Sequence, residues 1–342
     1  MSKADAAPKT INLALQGGGA HGAFTWGVLD RILEDGRLKI DAISGTSAGA
    51  MNAVVVADGI TRDGRDGARQ ALHDFWHAVS KSARTSPIQR SPIDVFMGNW
   101  SLDYSPGVIW LDLVSRLVSP YDFNPLNLNP LRTLIEKQVD FDHVHHCGDL
   151  RLFVSATNVH TGRVRVFTNE EITSDAVMAS ACLPYIFQAV EIDGVPYWDG
   201  GYIGNPVLYP FFYDTATADI VLVQVNPIER KETPKSAREI LNRMNEITFN
   251  ASLVKELRAI EFVTRLIDDG KLDAREYMRV RMHHIDGDAE LMEMSATSKL
   301  NAEWQFLEHL RDLGRTKADE WLETGFDKIG KEATFDLSEI LQ

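Results

Sequence analysis

The chain has 342 residues, of which 44% are hydrophobic, so it is long enough for one large domain or two ordinary ones around a substantial core. Its 35 Lys and Arg residues stand against 49 Asp and Glu residues, which gives a net charge of −14. This charge argues against a nucleic-acid partner, because phosphate backbones are bound by clustered basic residues. It also repels anionic membranes at long range, so any contact with lipid should be short-range and apolar.

Cys147 and Cys182 are the two cysteines of the sequence, and they show no pairing pattern. We therefore expect two core thiols in a reducing compartment rather than a disulfide scaffold. Residues 1–15 lack the apolar segment and cleavage site of a signal peptide, and no uninterrupted apolar stretch approaches ~20 residues. These features predict a cytoplasmic protein with a flexible segment at residues 1–9.

The first part of the chain alternates apolar, β-type runs with helical patterns. Residues 10–15 form an apolar run that ends in glycines, and residues 23–35 have apolar side chains at helical spacing. Residues 39–44 and 48–60 repeat this pattern, and a further helix is predicted at about 67–80. Strands that alternate with helices predict an α/β fold, in which helices cover both faces of a mostly parallel sheet.

Residues 83–132 differ from their surroundings, because they combine six of the chain's 13 prolines with many aromatic residues. Proline at this density is expected to interrupt regular structure. A long connection that keeps its aromatic residues is more typical of a packed cap than of a disordered linker. We therefore predict an apolar cap that meets lipid aggregates, with buried core packing of the aromatic residues as the alternative. The aromatic residues concerned are Trp100, Tyr104, Trp110, Tyr121 and Phe123.

Strand patterns resume after the cap region. Residues 150–159 and 163–168 predict a hairpin, and residues 174–183 predict a helix. Short strands are expected on both sides of Asp193-Gly194, and residues 219–226 are typical of a buried strand.

From Ser236 onward the sequence is mostly helical. Ser236 and Glu239 form a capping-box pattern. An isolated β-type stretch at residues 276–283 interrupts the helical region. The predicted apolar stripe of the first long helix consists of Ile240, Met244, Ile247, Val254, Leu257 and Ile260.

Ser47 lies in a Gly-x-Ser-x-Gly motif between Gly45 and Gly49. In such a motif a sharp turn from strand to helix lifts the serine hydroxyl out of the fold, and the glycines tolerate the crowding. The motif follows a predicted strand and precedes a predicted helix, as a nucleophile elbow requires. A tight glycine turn with a capping serine is the alternative, because the motif is short.

A second glycine-rich turn, Gly17-Gly18-Gly19, follows the first predicted strand. It suits an oxyanion hole, because backbone N–H groups must closely approach the tetrahedral intermediate of acyl transfer. The alternative is a dinucleotide site, since Gly17, Gly19 and Gly22 fit G-x-G-x-x-G. The ribose-binding acid of such a site should end the second strand, however, and Asp41 lies near its start.

Several histidines are candidate bases for Ser47. His21 lies within the glycine turn, and His73 and His77 are one helical turn apart. The Ser-Asp-His order of α/β-hydrolases leaves a histidine triad open. Its histidine would be His283, His284 or His309.

Asp199-Gly200-Gly201 follows the two glycine motifs along the chain. An Asp-Gly-Gly sequence alone is usually a turn. Together, however, the three elements resemble the patatin-like phospholipases, whose signature combines a Gly-Gly-Gly-x-Arg/Lys-Gly loop, a Gly-x-Ser-x-Gly elbow and a distant Asp-Gly-Gly or Asp-Gly-Ala. Residues 179–207 also resemble the stretch that leads to the family's aspartate, so the resemblance covers roughly residues 10–226.

The resemblance implies a three-layer α/β/α fold and a Ser-Asp dyad without histidine. In that dyad Ser47 attacks an acyl ester, Asp199 accepts the serine proton, and Gly17, Gly18 and Gly19 donate to the oxyanion. One departure from the family pattern is His21, which stands where the family has Arg or Lys. The family does not need calcium for catalysis, and we expect no cofactor.

The resemblance also suggests a division of the chain. A catalytic domain is expected at residues 10–226, with the cap at 83–132, and a mainly helical region at 227–342 is expected to pack on the same domain. Residues 142–149 contain metal-ligating residue types, but their spacing matches no zinc site, so we expect a polar loop and no metal.

The principal functional hypothesis is a lipid acyl hydrolase that contacts membranes or lipid aggregates transiently. An acyltransferase or a polyester depolymerase would use the same acyl-serine chemistry, and the sequence does not separate them from a hydrolase. An inactive lipid-binding module is disfavoured, because both Ser47 and Asp199 are present. A dinucleotide-binding oxidoreductase is the further alternative.

Overall fold

The computed structural model describes residues 8–340. Eight strands in this range form one sheet. The strands are β1 (Lys9–Leu15), β2 (Leu38–Gly45), β3 (Arg151–Asn158), β4 (Val164–Thr168), β5 (Val190–Ile192), β6 (Val195–Asp199), β7 (Asp219–Val223) and β8 (Arg281–Ile285).

The α-helices within residues 8–340 are α1 (Gly22–Asp35), α2 (Ala48–Ala83), α3 (Pro92–Phe96), α4 (Pro106–Leu117), α5 (Pro120–Phe123), α6 (Pro130–Gln138), α7 (Phe141–His145), α8 (Ser174–Ser180), α9 (Tyr209–Asp214), α10 (Ala237–Asp268), α11 (Asp288–Met292), α12 (Trp304–Gly325) and α13 (Leu337–Ile340). Short 3-10 turns occupy Gly19–His21, Asn169–Glu171, Gly200–Tyr202, Ala296–Leu300 and Phe326–Lys328.

The sheet is mixed and mostly parallel, with the strand order β5-β6-β3-β2-β1-β7-β8 and β4 paired with β3. β1 pairs in parallel with β2 and β7, and the same orientation continues to β3 on one side and β8 on the other. β6 runs antiparallel to β3, and β5 runs antiparallel to β6. The β-type stretch expected near residue 280 is therefore not isolated, because it supplies β8 at the edge of the sheet.

Helices cover both faces of the sheet, which confirms the predicted three-layer α/β/α fold. One face packs against α1, α2 and α12 in the larger apolar cluster, where Phe24, Phe75 and Phe306 are fully buried. The other face packs against α9 and α10 through Phe211 and Leu257. Both cysteines are buried and free, as expected of core thiols.

The helix α2 changes direction at Asp63 and Gly64, whose backbone angles are not helical. Its two arms correspond to the two helices predicted at 48–60 and about 67–80. The strand β1 begins at Lys9, whose ammonium donates to the carbonyls of Phe326 and Ile329, so the predicted flexible segment does not extend to this residue. The remainder of that segment, residues 1–7, lies outside the described residues.

Residues 83–132 are divided into short helices, as the proline density predicts, but four of the six prolines begin a helix rather than lie in a break. Each of the helices α3, α4, α5 and α6 begins with a proline. Proline is well suited to the first helical position, because its missing N–H has no intrahelical partner there and its φ is already helical. A serine or asparagine precedes each of these prolines, and Ser91, Ser119 and Asn129 accept a hydrogen bond from a backbone N–H of the first turn.

The predicted capping box of α10 is present, but its predicted apolar stripe is not one buried face. Leu257 and Ile260 are buried against the sheet, whereas Ile240, Met244 and Ile247 are exposed. The exposed residues precede Asn250, which bonds to Gln16 just beyond the end of β1. The first part of α10 therefore projects past the sheet, and none of the eight strands within residues 8–340 covers it. In the part of the chain that the structure describes, no helix combines the length and apolar character needed to span a membrane.

Candidate active site

Four strands bring the predicted site residues to one edge of the sheet. β1 ends at Leu15 immediately before the glycine turn, and β2 ends at Gly45 immediately before Ser47. Since β1 and β2 are parallel and Leu15 pairs with Gly45, the two glycine motifs lie side by side. Asp199 at the end of β6 pairs with Ala156 of β3, the neighbour of β2, and thus reaches the same edge.

Ser47 has the backbone conformation of a nucleophile elbow. Its φ of 54° and ψ of −118° are unusual for a residue with a side chain, and α2 begins at the next residue. Such a conformation costs of order 1–3 kcal/mol and persists only where the surroundings enforce it. The Ser47 N–H donates to Ser180 Oγ at 2.9 Å, and Thr46 Oγ1 donates to the Gly204 carbonyl at 2.7 Å.

Gly45 and Gly49 are required by close backbone contacts at this elbow. A Cβ on Gly49 would collide with the carbonyl oxygen of Leu15, and one on Gly45 would lie 2.6 Å from the Gly49 carbonyl carbon. Gly22, which ends the glycine loop, would place a Cβ 2.7 Å from that of Ala48. The elbow, the glycine loop and the first turn of α2 are therefore in direct contact.

Asp199 is almost completely buried, and two groups stabilise its charged form. The Gly201 N–H donates to its Oδ1 at 2.7 Å, and the Ser47 hydroxyl lies close enough to lower the pKa of the carboxyl group. Burial nevertheless raises the pKa of Asp199 to about 7, because the charged form loses solvation that these two groups only partly replace. A carboxylate with a pKa near neutrality, beside a serine hydroxyl, has the properties of a general base.

Gly200 and Gly201 allow the chain to turn closely behind this carboxylate. A Cβ on Gly200 would collide with the carbonyl oxygen of Ser155, and one on Gly201 would collide with the ring of Phe249. The Asp-Gly-Gly sequence is therefore a turn, as its composition suggests, and it also places the Asp199 carboxylate beside Ser47.

The glycine loop differs in one respect from the expected oxyanion hole. The Gly17 N–H donates to Asn205 Oδ1 at 2.7 Å, so it is not directed toward a substrate. This bond removes Gly17 from the predicted donors and leaves the N–H groups of Gly18 and Gly19 as candidates. Gly19 has a φ of 58°, and a Cβ there would collide with the carbonyl oxygen of Lys299.

Buried amide side chains hold this loop in place, and sequence reasoning did not identify them. Gln16 Oε1 accepts hydrogen bonds from the backbone N–H groups of Val225 and Asn226, at 3.0 and 2.9 Å. Asn226 Nδ2 donates to the Gly17 carbonyl at 2.6 Å. The sequence did carry one signal for these residues, namely a polar side chain at the end of a predicted buried strand. Gln16 and Asn226 both occupy such positions.

His21 is buried and uncharged. Burial and, to a smaller extent, the nearby ammonium of Lys299 lower its pKa to about 3. Its Nε2 lies 2.7 Å from Ser298 Oγ, whose own proton goes to the Ser295 carbonyl, so the imidazole is the donor of this bond. His21 therefore does not provide the positive charge that Arg or Lys carries in the resembled motif.

The other candidate histidines have partners elsewhere. His283 bonds to Asp219 at 3.0 Å, and His284 bonds to Gln224 at 2.9 Å. His309 pairs with Glu290 at 2.9 Å. His73 and His77 stack on each other and pack edge-on against Trp304.

The histidine-rich stretch at residues 142–149 and Asp41, the acid of the alternative dinucleotide site, have other partners in the structure. Within residues 8–340, no group of three or more His, Cys, Asp or Glu side chains is arranged to hold a metal ion. His143, from the histidine-rich stretch, instead bonds to the buried Asp58 at 2.9 Å. Asp41 Oδ2 accepts a hydrogen bond from the Ala216 N–H and lies 3.9 Å from Arg151 Nη1. Asp41 is therefore away from the glycine loop, which follows the last residue of β1.

The cap region presents apolar side chains to solvent. Tyr104, Trp110 and Tyr121 are 65%, 59% and 58% exposed, whereas Trp100 packs against Phe306. Further exposed apolar residues lie on the same segment: Ile93, Val95, Phe96, Met97, Ile109, Leu113, Leu117, Leu126 and Leu128. So many exposed apolar side chains on one segment are more typical of an interaction surface than of surface residues that occur singly.

Comparisons with solved structures find distant similarity. VipD from Legionella pneumophila is 15% identical with a TM-score of 0.40, over 97% of this chain and 73% of VipD. In the complex of ExoU with SpcU from the type III secretion system of Pseudomonas aeruginosa, the match is 14% identical with a TM-score of 0.40, over 95% of this chain and 53% of the matched chain. The present chain thus spans about three quarters of VipD and about half of ExoU.

A search of curated proteins finds no match. The family model for patatin-like phospholipases, in contrast, matches residues 13–212, which include the glycine loop, the Ser47 elbow and Asp199. Because this match covers more than half of the 342 residues, the chain belongs to the patatin-like phospholipase family.

Proposed function

We propose that this protein is a serine lipid acyl hydrolase, in which Ser47 and Asp199 form the catalytic dyad and an acyl-enzyme is the intermediate. The observation that carries the proposal is the position of the Ser47 hydroxyl beside a buried carboxyl group whose pKa is raised to about 7. The strained elbow and the family match support the same assignment.

In the first half of the reaction, Ser47 Oγ attacks the ester carbonyl carbon and its proton passes to Asp199. The carbonyl oxygen becomes an oxyanion, which accepts hydrogen bonds from the N–H groups of Gly18 and Gly19. Each such donor contributes about 2.7–4 kcal/mol to lowering the barrier. The tetrahedral intermediate then collapses, and the departing alcohol takes the proton from Asp199.

In the second half, water attacks the acyl-enzyme and gives a proton to Asp199. The new tetrahedral intermediate expels Ser47 Oγ, which recovers that proton, and the free fatty acid leaves. If another alcohol takes the place of water, the same steps describe an acyltransferase, and a polyester substrate would make the enzyme a depolymerase. The identity of the acceptor therefore separates the alternatives, whereas the dyad is common to all of them.

The exposed apolar side chains of the cap region support a second part of the proposal. Residues 83–132 carry four arginines and four aspartates, so the segment is neutral within a chain of net charge −14. A neutral apolar surface can approach a lipid aggregate without the long-range repulsion that the rest of the chain experiences. We propose that this segment contacts lipid and that the protein acts peripherally at a membrane surface.

The test is covalent labelling by a fluorophosphonate, which reacts with activated serines. Labelling should occur at Ser47 and be absent in Ser47→Ala and strongly reduced in Asp199→Asn. Ser82→Ala is the matched control, because it removes an exposed hydroxyl near the far end of α2 and leaves the elbow untouched. Labelling at another residue, or none at all in a folded wild-type protein, would overturn the dyad.

Products then separate hydrolysis from transfer. Incubation with phosphatidylcholine vesicles should release free fatty acid without an added acceptor alcohol. Product that forms only when an acceptor is added would identify an acyltransferase instead.

A further inference from the structure

The 3-10 turn Ala296–Leu300 lies directly against the glycine loop, although it belongs to the part of the chain beyond the family match. The Lys299 carbonyl oxygen occupies the space that a Cβ on Gly19 would need. One residue earlier, Ser298 accepts the hydrogen bond from His21 at 2.7 Å. Two consecutive residues of this turn thus contact two positions of the glycine loop.

The Lys299 side chain reaches the same loop by a second route. Lys299 is half-buried, and its ammonium donates to Asn226 Oδ1 at 2.6 Å, while Asn226 Nδ2 donates to the Gly17 carbonyl at 2.6 Å. An ammonium group can only donate hydrogen bonds, so it fixes the orientation of the Asn226 amide with Nδ2 toward Gly17. A charged donor on Oδ1 also polarises the amide and strengthens the bond that Nδ2 makes.

Lys299 also supplies positive charge near the loop, where His21 supplies none. Burial and the neighbouring Arg230 lower the pKa of Lys299 to about 8, while Glu246 opposes this shift. The ammonium is therefore mostly protonated at neutral pH.

We propose that Lys299 is a positioning residue for acyl transfer at Ser47: through Asn226 it holds the Gly17 carbonyl and thereby sets the direction of the next two N–H groups. This inference rests on the proposed hydrolase function. It assigns to a distant lysine the cationic support that position 21 lacks in this chain.

The same turn region is also bonded to the cap. Thr297 Oγ1 accepts from the Leu102 N–H at 3.0 Å and donates to Asp103 at 2.9 Å. Asn301 Nδ2 donates to the Trp100 carbonyl at 3.0 Å. Residues 297–301 therefore connect the proposed lipid-contacting segment to the glycine loop.

The test compares Lys299→Met and Lys299→Gln with wild type on a short soluble ester. For Lys299→Met we expect kcat to fall by roughly tenfold or more with KM within about twofold, since donor misplacement acts on the transition state. Lys299→Gln keeps a neutral donor for Asn226 and should lose less. The matched control is Lys271→Met, which removes an exposed lysine paired with Asp269 and should leave kcat unchanged.

Two further measurements exclude a merely structural effect. Asn226→Ala should lower kcat by a similar factor, and combination with Lys299→Met should cost little more, because both act along one chain of bonds. Amide hydrogen exchange at residues 17–19 should accelerate in Lys299→Met, whether or not the protein is active.

The possible failures are distinguishable. An unlabelled and inactive wild type would overturn the proposed function. A labelled, active wild type with an equally active Lys299→Met variant would overturn only the positioning role, as would a fall in kcat that merely follows a fall in Tm without faster exchange at residues 17–19.

Discussion

Asp199→Asn should abolish ester hydrolysis and at the same time stabilise the protein at alkaline pH. The folded state binds the Asp199 proton more tightly than the unfolded chain, because burial raises the pKa from 3.8 to about 7. Ionisation therefore opposes folding: stability falls as pH rises from about 4, and the loss is complete above about 7. An asparagine can keep the hydrogen bond from Gly201 and donate to Ser47 without carrying charge.

The pKa difference gives the size of the effect. A rise in pKa from 3.8 to about 7 corresponds to a loss of about 4 kcal/mol in the free energy of unfolding once the carboxyl group is ionised, since one pKa unit is equivalent to ~1.4 kcal/mol. The penalty that the substitution removes is close to zero at about pH 3, about 2 kcal/mol at about pH 5 and about 4 kcal/mol at about pH 8. This is an upper bound for the gain, which corresponds to a rise in Tm of several degrees at the alkaline end.

Calorimetric melting of wild type and Asp199→Asn at about pH 5 and pH 8 measures the effect, and two variants provide controls. Glu256→Gln should show the same pH dependence with activity retained, because burial raises the pKa of Glu256 to about 7 at a position that caps α9. Asp219→Asn should show the opposite sign, because its partners His283 and Arg281 hold the pKa of Asp219 below its usual range. A Tm difference for Asp199→Asn that does not grow with pH would refute the reasoning.

Three further outcomes are expected. His284→Ala and His309→Ala should retain most esterase activity, because these side chains bond to Gln224 and Glu290, and complete loss in either would replace the dyad by a triad. Tyr104→Ala combined with Trp110→Ala should lower activity on phospholipid vesicles by roughly tenfold, equivalent to ~1.4 kcal/mol of lost apolar contact, while sparing a soluble ester. Tyr213→Ala is the control, since Tyr213 is 81% exposed outside the cap region, and parallel loss of both activities in the cap variant would indicate core damage. Gly19→Ala should distort the loop rather than only remove a donor, because its φ is 58° and the Lys299 carbonyl blocks a Cβ; faster amide exchange at residues 17–19 measures this.

The parts of the fold that depend on local periodicity were predictable from the sequence. The apolar runs of β1, β2 and β7 and the capping box of α10 appear where the patterns place them. The elbow and the Asp-Gly-Gly turn were also accessible, because each is a short glycine motif in the sequence, and close contacts require those glycines. The proline density predicted the breaks between the short helices of the cap region. It did not predict that four of the prolines begin those helices, because proline favours a helix when it occupies the first helical position.

The supports of the site were not predictable, because they join residues that are far apart in the sequence. Gly17 and Asn205 are 188 positions apart, and Lys299 and Asn226 are 73 apart. No local pattern marks an asparagine whose partner is a distant backbone N–H. The predicted apolar stripe of α10 was wrong in its first part for a related reason. Helical spacing in a sequence reveals an apolar face, but it does not show whether a sheet extends far enough to bury that face.

The electrostatics of the site define the protonation state that the reaction requires. In the proposed mechanism Asp199 must be ionised to accept the Ser47 proton, and its pKa of about 7 places that change near neutrality. Lys299 must be protonated to support the glycine loop, and its pKa is about 8. The competent form, with a charged aspartate and a charged lysine, therefore predominates only between about pH 7 and 8, and the rate should have a bell-shaped dependence on pH. Lys299→Met should flatten the alkaline limb and leave the acid limb in place. Because His21 stays neutral throughout this range, it contributes to neither limb.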